Sequence, residues 1–277
     1  MTDHRFEKPS KGNPYQLTIK QHVFPKRMIK RFSDLTTGRV DVIRKTGLKK
    51  LSLKPDAEIF CAMRQWDQRS EAILSHPIEK RFNELTSNII ENPFYIITEQ
   101  DNKIINSFYA LITSRQNCKY KPHKDLEFNS DTENSVEISK EKQELLESNY
   151  VYFRNKAGLP SRMFNGMMIQ KNVDYFNIKY RNLNWNISYL SHGEIVVPEM
   201  IDFFFIPISP NMFLTPTPGG RILSFADCIA LNQCINALCQ RSTYFFARDL
   251  NKCFGFNLSD PWAFHPYHLP VSNPPKL

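Results

Sequence analysis

No glycine-rich phosphate loop, His-Glu-x-x-His, Gly-x-Ser-x-Gly or kinase motif set occurs in the 277-residue chain, which removes the best-marked phosphotransfer, metalloprotease and hydrolase classes. The six cysteines, Cys61, Cys118, Cys228, Cys234, Cys239 and Cys253, include no Cys-x-x-Cys pair and no tight Cys/His cluster. That spacing argues against a structural zinc site and a secreted disulfide framework, and reduced thiols in a cytoplasmic protein are expected. Residues 1–16 are polar and lack the apolar core of a signal peptide. The most apolar run, residues 201–208, is interrupted by Asp202 and Pro207 and is far shorter than a membrane span, so no membrane partner is expected. No residue set specifies a metal, and cofactor use stays open. Glu194 and Asp202 flank strand-like runs as nuclease metal ligands do, but isolated acids there are ordinarily solvated. His192 beside Glu194 is a similarly weak signal, and His265 and His268, set among prolines, read as tail packing.

What the chain does contain is enough apolar material, 41% of residues, for one large core. The expected class is α+β: a helical N-terminal half packed on a mostly antiparallel sheet, with a long C-terminal helix. Residues 1–16 read as a flexible arm and residues 17–277 as a single domain with a polar insertion at about 117–149. Residues 39–43 alternate as a strand, and residues 56–74 are expected to be helical. The next helix places Ile78, Phe82, Leu85 and Ile89 on one stripe, and Thr98 with Asp101 opens another helix by a capping box. Short aromatic and β-branched runs at 173–178, 185–190, 195–197, 201–208 and 212–214 predict strands. Ser224 and Asp227 cap a helix predicted to reach about Arg248. The insertion, with Asp125, Glu127, Asp131, Glu133, Glu137, Glu141, Glu144 and Glu147, reads as solvated, mobile and dispensable for folding.

Charge is concentrated in one place. Residues 17–54 hold eleven Lys/Arg against Asp34 and Asp41, a local net of +9 where the whole chain has +8. A field of that density fits nucleic acid, through phosphate contacts by Lys26, Arg27, Lys30 and Arg31; the alternative is a solvated basic face without a partner. Within the block, Pro25 favours a helix start, which puts His22 at a strand-to-helix junction. There the ring reaches either a substrate or backbone. Three more polar residues lie on or beside apolar stripes: Glu79, Arg115 and Asn232. A buried arginine needs partners, whereas one at a helix end can snorkel or complement the dipole. Asn232 contacts either loop backbone or a ligand.

Five pieces in order carry a resemblance across most of the chain: Gln21-His22-Val23-Phe24-Pro25 through Arg31-Phe32, Ile78-Glu79, the helix from Asp101 to Arg115, Pro207-Ile208-Ser209-Pro210 and Leu231-Asn232. Together they resemble the family catalogued as domain of unknown function 4238. That family usually has a Ser-Asp-x-Pro motif before the Pro-hydrophobic-Ser-Pro strand, whereas this chain reads Ser191-His192-Gly193-Glu194 with Pro198 further on. The resemblance implies a protein of bacteria and their mobile elements, a toxic or phage-exclusion effector probed best through His22, Glu79, Arg115 and Asn232. In that reading the four converge on one site, with His22 as general acid–base and Arg115 as a phosphate clamp on nucleic acid. An effector of this kind also implies a regulatory or neutralising protein. The competing reading is a non-catalytic module that binds nucleic acid or protein through the basic segment.

Overall fold

The structure is a computed structural model that describes residues 7–92, 94–126, 137–152, 158–217 and 221–259. In chain order its elements are β1 (Lys20–His22), α1 (Lys26–Lys30), β2 (Val40–Arg44), β3 (Lys50–Leu53), β4 (Cys61–Met63), α2 (His76–Glu91), α3 (Glu99–Tyr120), α4 (Lys140–Ser148) and α5 (Ser161–Lys179). There follow β5 (Asn186–Leu190), β6 (Val197–Pro198), β7 (Ile206–Ser209), β8 (Met212–Thr215), β9 (Arg221–Leu223), α6 (Phe225–Leu238) and β10 (Tyr244–Ala247).

The centre of the fold is α3. Thr98 accepts from the Asp101 amide while Asp101 accepts from the Thr98 amide, the reciprocal cap expected at its start. From Phe108 to Gln116 every residue is buried, so this helix is enclosed on all sides rather than along one stripe. Phe82 of α2 stacks on Phe108 with ring centroids 3.6 Å apart, and Tyr109 meets Phe176 of α5 at 5.4 Å. Phe24, just before α1, touches both Phe108 and Phe246 of β10. The rings therefore join the N-terminal segment, α3 and a C-terminal strand in one core. Burying each large ring contributes roughly 1.5–3 kcal/mol.

The described residues form three sheets. β1 pairs with β4, the order β3-β2-β10-β6 makes a four-stranded antiparallel sheet, and the order β7-β8-β5-β9 makes another in which β5 and β9 run parallel. Pro207 sits in β7 at a sheet edge, where the missing amide costs no ladder bond.

The expected α+β division is overturned. The fold is a mixed α/β arrangement in which N-terminal strands β2 and β3 share a sheet with C-terminal strands β6 and β10. Residues 56–74, expected as a helix, instead form a short 3-10 turn, β4 and a π-helical turn at Ser70–Ser75. Residues 173–178, expected as a strand, belong to α5, whose Ile169, Val173 and Phe176 are buried at helical spacing. Among the described residues the long C-terminal helix is not seen: α6 ends at Leu238, and Tyr244–Ala247 forms β10, buried at every position. A run of aromatics buried on both faces fits a central strand and has no polar face to expose on a helix.

Candidate functional site

In the middle of β1, Gln21 is 1% exposed and ties two segments together. Its Oε1 accepts from the amides of Gln65 and Trp66 at 2.7 and 3.1 Å, and its Nε2 donates to the Trp66 carbonyl at 2.8 Å. That clamp fixes the Trp66 indole, whose Nε1 donates to Glu71 Oε2 at 2.5 Å. Glu71 lies on the π-helical turn, a rare geometry that recurs at functional positions.

Arg115 completes the cluster. Its side chain is buried, with Nη1 donating to Glu79 Oε1 at 2.5 Å and to the His22 carbonyl at 3.0 Å, and Nη2 3.3 Å from Glu71 Oε2. The guanidinium carbon stands 5.1 Å from the centre of the Trp66 ring, a cation–π contact. Burial opposes its charge, but Glu79 and Glu71 more than offset that effect and raise its pKa. Nε is buried without a hydrogen-bond partner among the described residues. The Arg115 side chain is 1% exposed, so burial closes the guanidinium to a phosphate, against the expected clamp role. Arg115 is instead a positioning residue that holds the His22 backbone.

The His22 ring is partly buried, and its Nε2 stands 3.2 Å from the Pro55 carbonyl. A carbonyl only accepts, so Nε2 carries the proton and Nδ1 of the neutral ring is an acceptor with no hydrogen-bond donor among the described residues. Desolvation is the largest cause lowering the His22 pKa, opposed by the Pro55 bond and reinforced by Lys26 and Arg115. The ring is therefore a neutral base at pH 7.

The sequence-predicted residues divide. His22, Glu79 and Arg115 meet, with Glu71, Trp66 and Gln21 added to them. Asn232 does not join: its Oδ1 accepts from the Val196 amide at 3.0 Å and its Nδ2 donates to the carbonyls of Glu194 and Phe254, each at 2.9 Å. It fixes loop backbone. Glu194 is buried against Arg248 and the Asp249 amide, and Asp202 pairs with Arg241, so each carboxylate is engaged by an arginine. Among the described residues no group of three or more His, Cys, Asp or Glu is placed to hold a metal ion. His265 and His268 lie outside the described residues.

The proposed phosphate contacts divide as well. Lys26, Arg27 and Lys30 are exposed on α1, Lys26 next to Asp56 at 3.1 Å. Arg31 turns inward and donates to Thr86, Asn83 and Ser87 of α2, and burial lowers its pKa to about 10. It is a tie between helices.

The acidic insertion is partly structural, against the expectation of a solvated segment. Glu147 of α4 is buried and accepts from Arg64 at 2.7 Å and from Arg162. Glu7 pairs with the same Arg162, and the Ser10 amide donates to Glu144, so residues 7–10 of the N-terminal arm rest on α4. Glu127, Asp131 and Glu133 lie outside the described residues.

No helix of the described residues is long and apolar enough to cross a membrane. No family model, curated protein or solved structure matches the chain.

Proposed function

We propose that the protein binds nucleic acid through the exposed cations of α1 and that His22 is the general acid–base residue of an effector acting on that nucleic acid. The observation that supports this best is the His22 ring: neutral, held in one tautomer by the Pro55 carbonyl, and four residues before exposed Lys26. Nδ1 would take a proton from an attacking water or hydroxyl, while Lys26, Arg27 and Lys30 neutralise phosphate oxygens. Arg115, Glu71 and Glu79 keep the end of β1 in place without entering the chemistry. The resemblance to the domain of unknown function 4238 family adds the biological setting, a toxic or phage-exclusion effector in bacteria or their mobile elements, restrained by a neutralising protein.

A second reading has its own support. Arg115, Glu71 and Glu79 pair with one another, which leaves the His22 ring without a second catalytic group in contact among the described residues and favours a non-catalytic binding module. Induced expression in a bacterial host separates the two. The effector reading predicts growth arrest that His22→Ala relieves at equal soluble protein. Growth arrest undiminished in His22→Ala, or no arrest with wild type, leaves the binding module.

A further inference from the structure

On another side of α3 a cleft of about 600 Å³ opens between α3, α5 and residues 201–202. Thr113 and Asn117 of its wall stand two positions either side of Arg115, which turns them by roughly 200° around the helix. The cleft is therefore separate from the His22 cluster, and what it binds does not depend on the nucleic-acid reading. Its volume lies within the usual small-ligand range of ~300–1,000 Å³.

The wall is preformed. Gln116 donates to the Glu199 carbonyl at 3.0 Å and accepts from the Ile201 amide at 3.2 Å, which pins the strand-side lip to α3. Tyr109, Met168, Phe176 and Ile201 give the lining an apolar part. Ser114 is set among them, 0% exposed, with an Oγ that has no hydrogen-bond partner among the described residues. A buried hydroxyl left unpaired is destabilising, and a polar ligand atom brought to the cleft wall at Ser114 would satisfy it. Thr113 donates to the Tyr109 carbonyl at 2.9 Å, and its oxygen can still accept. Charge stands at the rim: Lys121 and His123 on one side, and Arg241, already paired with Asp202, on the other. Lys121 has no ion pair among the described residues, so the unbalanced charge there is positive.

We propose that this cleft binds a small organic anion, its apolar body against Met168 and Ile201, its head group at Lys121, and a polar atom of the body bonded to Ser114. Carboxylate and phosphate head groups share that chemistry, so the probes include both. Calorimetric titration of the full chain would use adenosine 5′-monophosphate against adenosine, and indole-3-acetate against indole-3-acetamide. At least one anion is expected to bind about tenfold or more tighter than its neutral counterpart. Lys121→Gln should remove that preference. Ser114→Ala should weaken binding several-fold while leaving the melting temperature unchanged or higher, because the hydroxyl it removes has no partner among the described residues. A structural serine would instead lower the melting temperature on substitution. The triple change Lys26→Gln, Arg27→Gln and Lys30→Gln should leave binding of the anion as it is. If neither anion exceeds its neutral counterpart, or if Lys121→Gln and Ser114→Ala leave affinity unchanged, the cleft is not this site.

Discussion

Arg115 concentrates several forces in one side chain: it is fully buried, faces two carboxylates, holds a backbone carbonyl and lies over an indole. Replacing it with Met would leave Glu71 and Glu79 without their shared cation. Breaking a buried pair typically costs about 3–5 kcal/mol, and the low end is expected here because both carboxylates are about a quarter exposed, at 25% and 28%. Urea unfolding checks the value, and Arg115→Lys should recover only part of it, since an ammonium lacks the planar fork. His22 makes a pH prediction of definite sign. Its folded pKa is below the ordinary 6.5, so as pH falls past 6.5 the unfolded chain takes up the proton first and the folded state loses stability. Above 6.5 both states are neutral and the effect vanishes. The stability of wild type minus that of His22→Gln should therefore be flat in the alkaline range and fall as pH drops through 6.5. A difference that rises toward acid would show that the protonated ring is the stabilised one.

Among the elements, α4 and the arm before β1 are joined to the body by charge rather than by apolar surface. Arg64 and Arg162 are neighbours that repel, and Glu147 lies between them. Glu147→Ala should lower stability by about 3–5 kcal/mol and expose residues 7–16 to limited proteolysis. Unchanged melting and protection would mean that the network contributes nothing net. Much of the element map was legible where one pattern dominated: the Thr98 and Ser224 caps, the stripe of α2, and strands β2, β5 and β8. Errors came where pattern and context disagreed. The run 173–178 is aromatic and β-branched like a strand, but its buried Val173 and Phe176 are spaced by three, and only packing against α3 selects the helix. Tyr244 to Ala247 continues a helical run in sequence, yet pairing on both sides with β2 and β6 makes it a strand. Acidic residues of the insertion read as solvated because their arginine partners, Arg64 and Arg162, are remote in sequence. The site was half legible for the same reason. Arg115 and Glu79 announced themselves by standing on or beside apolar stripes, but Glu71 sits on a π-helical turn that no periodicity marks. Asn232 broke the same rule and was satisfied by loop backbone instead.

Across the molecule, positive charge is local: the block at 17–54 carries +9 and the rest of the chain nearly balances. If α1 is the nucleic-acid surface, changing Lys26, Arg27 and Lys30 to Gln should weaken binding and flatten its salt dependence by about 0.7–0.9 in slope for each phosphate no longer neutralised. Changing Arg31 should act on folding instead, since it bonds α2. An unaltered salt slope in the triple variant would place binding elsewhere. Whether His22 moves a proton on a bound nucleic acid is decided by following cleavage of end-labelled RNA and DNA by wild type and His22→Gln across pH. Cleavage should rise with pH through a midpoint below 6.5, and His22→Gln should lose about 10²–10⁴-fold in rate with affinity for the nucleic acid unchanged. Equal cleavage by both proteins, or none by wild type on nucleic acid that it binds, would rule out that role for His22.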